Sequence, residues 1–198
     1  MSFTRFRLSV VMLAVAGSIV AAPAAHAEDG GWPARESLVP LTDAAAERVQ
    51  VADLVAAAKF GTPAPIDDPA REQVVLNTVR TLSVQMGIDP EVSVAIFADQ
   101  IEANKQVQRG LYVLWTAHPE QAPTERPDLV KVVRPILDRI TTQLLEQIKA
   151  TPHARVHPSC FGQLIVAWVH VSHDRQLDTL HRSALARALA SVCRRQHS

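Results

Sequence analysis

The sequence predicts an all-α fold, and three observations carry that expectation. Apolar residues recur at steps of three and four along most of the chain, the spacing of one helix face. The pair Asp-Pro, an acidic N-cap followed by proline in the first turn, occurs at Asp68-Pro69 and again at Asp89-Pro90. Strand alternation, a Gly-rich phosphate loop, a nucleophile elbow, HExxH and CxxC are all missing from the sequence. With 198 residues and 47% apolar content, the chain suits one well-cored domain of about six helices.

The N-terminus stands apart from that domain. Arg5 and Arg7 precede an apolar run from Leu8 to Ala25, and Ala25-His26-Ala27 has the A-x-A form of a cleavage site. Residues 1–27 are therefore expected to be a secretory signal peptide, leaving 28–198 as the domain and no membrane segment after cleavage. An uncleaved anchor is the rival, but Ser9, Gly17, Ser18 and Pro23 interrupt the run and its far side lacks cations. Removing two arginines and no acids leaves 18 basic and 20 acidic residues, a balance that gives no support to nucleic-acid binding. Export also places Cys160 and Cys193 in an oxidising compartment with only each other available, so a disulfide is expected, two buried thiols being the alternative.

Residues 28–40 combine Gly, Pro and charge without periodicity and are expected to be a flexible lead-in. The first helix is expected over Leu41–Phe60, stopped by Gly61. One of its stripes reads Leu41, Ala44/Ala45, Arg48, Ala52, Val55, Lys59, so two cations share an apolar face three turns apart. They either snorkel past alanines to water or face a dry anion-binding cleft. The second helix starts at Asp68-Pro69 and ends at Gly87. Arg71 in its first turn is poorly placed for the helix dipole and calls for another partner. The third runs from Asp89-Pro90 to about Trp115 with the stripe Phe97, Ile101, Asn104, Gln108, Leu111, Trp115; its two carboxamides are an interhelical polar pair or ligand contacts.

Asp128 caps the fourth helix, whose stripe is Leu129, Val132, Ile136, Ile140, Leu144, Ile148. Pro135 inside this pattern implies a kink or an irregular first turn beside Arg134. Cys160, Leu164, Ala167, Trp168 and Val171 mark a fifth helix, and Leu185, Leu189 and Val192 a sixth, tied to each other by the cysteines. The active-site helices would then span about 36–150 and the disulfide-linked ones about 158–196. His170 and His173 could share a face, but no ligand cluster of recognisable spacing accompanies them, so no metal is assigned.

Collected, three arginines, one lysine and two carboxamides interrupt apolar helix faces, with no activated nucleophile, general base or metal cluster beside them. Donors without a nucleophile suit an anionic ligand and, as catalysis, charge redistribution without proton transfer. Arg48, Lys59, Asp68, Arg71, Asn104 and Gln108, at intervals of 11, 9, 3, 33 and 4, resemble the active-site pattern of the all-helical chorismate mutases. The leader, Arg134 and the Cys160/Cys193 pair are similar to the secreted subclass found in mycobacteria and other bacteria, as are the runs DAAAERVQVADLVAAAKF and IDPEVSVAIFADQI.

The resemblance implies cofactor-free conversion of chorismate to prephenate, a unimolecular Claisen rearrangement. It implies Arg48, Arg71 and Arg134 on the two substrate carboxylates, Lys59 and Gln108 as donors to the ether oxygen, Asp68 or Glu72 receiving the ring hydroxyl, and Asn104 helping at a carboxylate. It also implies a secreted or periplasmic homodimer in which each site is built from one chain. Gln108 stands where secreted relatives can carry Glu, Asn104 where Ser or Thr is common, and Val75 where a glutamine may assist. The alternatives are an exported helical protein that binds a dicarboxylate without catalysis and a disulfide-stapled interaction protein with no ligand.

Overall fold

The computed structural model describes residues 36–193; the signal-peptide expectation at 1–27 lies outside them. Seven α-helices follow one another: α1 (Val39–Lys59), α2 (Pro69–Met86), α3 (Pro90–Ala117), α4 (Arg134–Ala150), α5 (Pro152–Val156), α6 (Cys160–Asp174) and α7 (Thr179–Ala188). No strand occurs among the described residues. No described helix is long and apolar enough to cross a membrane.

The alanine-rich α1 is buried along most of its length, which puts it at the centre of the bundle. It packs against α3, α4, α6 and α7, while α2 and α7 close on α3. Small side chains such as Ala45, Ala46, Ala52 and Ala56 are fully buried and let these neighbours approach. The main core joins Leu41 and Ala45 of α1 to Phe97 of α3, Leu144 and Ile148 of α4, Leu164 of α6 and Leu185 of α7.

The start signals work as local chemistry requires. Asp68 Oδ1 accepts the Arg71 N–H at 3.0 Å, and the Asp68 N–H donates back to Glu72 Oε1 at 3.3 Å. Gly87 ends α2 at φ +70°, a left-handed cap that spares the penalty a Cβ would bring. Asp89 and Asp178 cap α3 and α7 in the same manner.

The irregular first turn expected beside Arg134 is a π-turn, Leu129–Val133, before α4 proper; what needs correction is the stripe through Val132 and the reach of the last helix, and a short α5 is additional. Pro135 has no N–H for the Lys131 carbonyl, so the ordinary ladder is already broken at this point, and the wider turn carries one extra residue. Its consequence is a register slip: Val133 is fully buried while Val132 is 46% exposed. The short α5 carries too few residues for periodicity, although Pro152 opens it. The last helix leaves its axis after Ala188, so Val192 is buried from a turn instead of a helix. The disulfide Cys160–Cys193 joins the start of α6 to that turn with Cα atoms 5.8 Å apart. Closing such a loop contributes roughly 3–4 kcal/mol in the chain-entropy account.

Candidate active site

Four helices wall a cavity of about 160 Å³. α1 supplies Arg48, Val55 and Lys59; the start of α2 supplies Asp68, Arg71, Glu72 and Val75; α3 supplies Asn104, Lys105 and Gln108; α4 supplies Arg134, Asp138 and Thr141. All eight polar residues expected from the sequence to form the site line this one space. Five cations against three carboxylates leave the lining two positive charges in excess.

Arg48 sits deepest. It is 6% exposed, its guanidinium lies over the Phe97 ring at 5.7 Å from the centroid, and its Nε and Nη1 have no hydrogen-bond partner. Burial drives its pKa well below the ordinary arginine range, to about 10, with the charge of Asp138 opposing. It remains cationic at neutral pH, an uncompensated buried charge. Of the two readings left open for Arg48, snorkelling is ruled out by this burial.

Lys59 is half-buried and donates to the Pro65 carbonyl at 2.8 Å, which leaves two ammonium protons for other acceptors. Burial lowers its pKa; Asp68, Glu72 and Asp67 pull it back up, and Arg134 pushes it further down. Its position therefore depends on the start of α2 and on α4 together. Arg71 makes no side-chain hydrogen bond or ion pair among the described residues, so the partner its misplacement on the helix dipole calls for is not another side chain.

On α3, Gln108 Nε2 donates to Asn104 Oδ1 at 2.7 Å. The two amides thus pair along one helix face, as i and i+4 residues can. Gln108 is 2% exposed and its Oε1 has no partner, so the amide is held in place from one side only.

Sequence reasoning missed Lys105, Asp138 and Thr141. Asp138 and Thr141 carried a readable signal, following Arg134 at steps of four and three; Lys105 carried none of its own. His170 and His173 lie on the surface of α6, each contacting Asp174, and no group of three metal-ligating side chains occurs among the described residues.

The chorismate mutase type II family model matches residues 40–109, the stretch that supplies the α1, α2 and α3 walls. The secreted chorismate mutase of Mycolicibacterium smegmatis is 37% identical over 186 residues, 94% of this chain and 98% of that one. The secreted chorismate mutase of Mycobacterium tuberculosis is 36% identical over 156 residues, 79% of this chain and 78% of that one. Among solved structures, a chorismate mutase from Burkholderia phymatum superposes with a TM-score of 0.76 at 35% identity, covering 81% of this chain and 98% of that one. A shared fold and a near whole-length match agree, and the chain belongs to the chorismate mutase family, an isomerase family.

Proposed function

We propose that the cavity converts chorismate to prephenate with its own side chains and no cofactor. The observation that carries this reading is Arg48, a buried guanidinium with two unpartnered N–H groups in a space with two positive charges in excess. Chorismate is a dianion with two carboxylates. A planar guanidinium meets a carboxylate through two parallel hydrogen bonds, so Arg48, Arg71 and Arg134 can clamp both and hold the enolpyruvyl arm over the ring.

The reaction breaks the ether C–O bond and forms a C–C bond within one molecule, so atoms and protons balance without a co-reactant. Negative charge grows on the ether oxygen as that bond stretches. The remaining Lys59 protons and the second Gln108 N–H are the donors for it, each worth roughly 3–4 kcal/mol when preorganised. Asp68 or Glu72 receives the ring hydroxyl, and Asn104, whose Nδ2 is not used in its bond to Gln108, donates to a carboxylate. Relatives named as secreted, the A-x-A leader and the disulfide support an exported enzyme, periplasmic or extracellular. The homodimer belongs to the same reading; the exposed Phe161, Ile165 and Val169 on α6 are apolar surface that a second copy could cover.

The test is loss of chorismate absorbance on adding purified protein. Turnover far above the uncatalysed rate, with Lys59→Ala and Gln108→Ala losing kcat much more than affinity, supports the mutase. Binding of chorismate by the folded protein without turnover above the uncatalysed rate would reduce the cavity to a binding site.

A further inference from the structure

We propose that Lys105, which the sequence pattern did not single out, is a positioning residue: it locks Glu72 and the first turn of α2 onto α3, and so sets substrate affinity. The inference rests on the chorismate reading of the cavity.

The Lys105 side chain is 10% exposed, and its ammonium lies 2.5 Å from Glu102, 3.2 Å from both Glu72 oxygens and 3.4 Å from Asp67. An ammonium has three protons, and three carboxylates surround this one. It has nothing left to give a substrate, although it lines the cavity. Burial disfavours its charge, but the hydrogen bonds it donates to Glu102 and Glu72 outweigh that and hold its pKa above the ordinary lysine value. The charge is therefore permanent in any working buffer.

What Lys105 holds is specific. Glu72 Oε1 also accepts the Asp68 N–H, so one ammonium on α3 fixes a carboxylate that in turn closes the cap of α2. That turn carries Asp68, Arg71 and Glu72, while Asn104 and Gln108 flank Lys105 on α3. Arg109 reaches Asp67 at 2.7 Å but is not bonded to Glu72, so it does not duplicate this link. Without Lys105 the lining would keep only one positive charge in excess, with Glu72 and Glu102 both unpaired beside it. A dianion would enter a weaker field and meet a looser hydroxyl acceptor. The carboxylates and the hydroxyl carry the same charge in substrate and transition state, so the loss is uniform and falls on KM.

The experiment compares Lys105→Met, Lys105→Arg, Glu72→Gln and the Lys105→Met/Glu72→Gln double variant, each checked for native circular dichroism. For each, kcat and KM for chorismate are measured, and Kd for prephenate is measured by calorimetry. Lys105→Met is expected to raise KM and Kd about tenfold with kcat within about twofold, and Lys105→Arg to recover most of that. In the Glu72→Gln background the Lys105→Met effect should shrink to about threefold or less, because the two act as one unit. Unchanged KM and Kd in a folded Lys105→Met protein would overturn the proposal, as would full additivity with Glu72→Gln. If Lys105→Met does not fold, the Lys105→Arg and Glu72→Gln values decide: an Arg variant as weak as Glu72→Gln would refute a role for the charge. Failure of the wild type to turn over chorismate would refute the mutase reading instead, while the prephenate Kd values would still report on Lys105.

Discussion

Replacing Arg48 with methionine should separate stability from turnover. In the ligand-free protein the guanidinium is 6% exposed and two of its donors have no partner. Burial brings its pKa down to about 10 from the ordinary arginine range, and each unit is worth about 1.4 kcal/mol, so the charged form carries a penalty of about 3 kcal/mol. Both values lie above neutrality, so the penalty is fully present at pH 7 and is relieved only as pH rises past about 10. Methionine replaces the alkyl stem but ends about where Nε stands, so it gives up the guanidinium's contact with Phe97 while having no charge to desolvate. That value already includes the attraction to Asp138; after subtracting a cation–π contact of about 1 kcal/mol, the variant should be more stable by about 1–2 kcal/mol. Turnover should move the other way: losing a charge-assisted clamp in a buried site costs about 2–5 kcal/mol, or roughly 30-fold to several thousand-fold in kcat/KM. Urea unfolding at pH 7 gives the first quantity and chorismate absorbance the second. Prephenate should raise the melting temperature of the wild type and leave the variant nearly unmoved. A methionine variant that is less stable than wild type, or that keeps more than about a tenth of its activity, would refute the idea that Arg48 is an uncompensated charge awaiting an anion.

Three further outcomes are expected. Wild-type kcat/KM should be flat across neutral pH, since Gln108 donates at any pH, and should fall on the alkaline side as Lys59, its pKa lowered by burial, loses its proton; Gln108→Glu should convert this to a decline with rising pH as the carboxyl ionises, and a flat profile for that variant would exclude position 108 from the donor role. His181 lies between Asp53 at 2.8 Å and Asp178 at 2.7 Å, and the bond to Asp53, aided by Asp178, raises its pKa to about 9. Its contribution, on the order of 2 kcal/mol after discounting the half-exposed carboxylates, is complete below about pH 6.5 and lost as pH rises through about 9, so His181→Gln should flatten the alkaline side of the stability curve measured by urea unfolding. Gly87→Ala should cost about 1 kcal/mol with unchanged kinetics, because a Cβ there meets no atom within 4 Å and only the left-handed backbone resists it; a larger loss would point to contacts the structure lacks.

How much of this was legible in the sequence depended on whether a signal was local. Asp68, Asp89 and Asp128 each mark a helix start because a side-chain oxygen reaches an N–H two or three residues on, a contact needing no other part of the fold. The polar interruptions of α1 and α3 were visible for the same reason: a 3.6-residue period puts Arg48 with Lys59, and Asn104 with Gln108, on one face before any neighbour is known. What failed was phase after a break. The stripe through Leu129 and Val132 assumed an unbroken helix, and the π-turn ahead of Pro135 added one residue and brought Val133 inward.

Lys105 was missed for a different reason, and it shows where single-chain pattern reading ends. By spacing alone it is one more lysine on a charged helix, and such residues are mostly solvated. Its three carboxylate partners come from two places, Glu102 on its own helix and Asp67 with Glu72 more than thirty residues earlier. Nothing local joins those segments. They meet because Val79 of α2 is buried in the same core as Val92 and Ile96 of α3 and the two helices pack together, with the start of α2 against the second half of α3. The apolar seam that any amphipathic pair would form thus decides which charges become neighbours, and a lysine turns from surface solvation to site architecture through contacts made by valines.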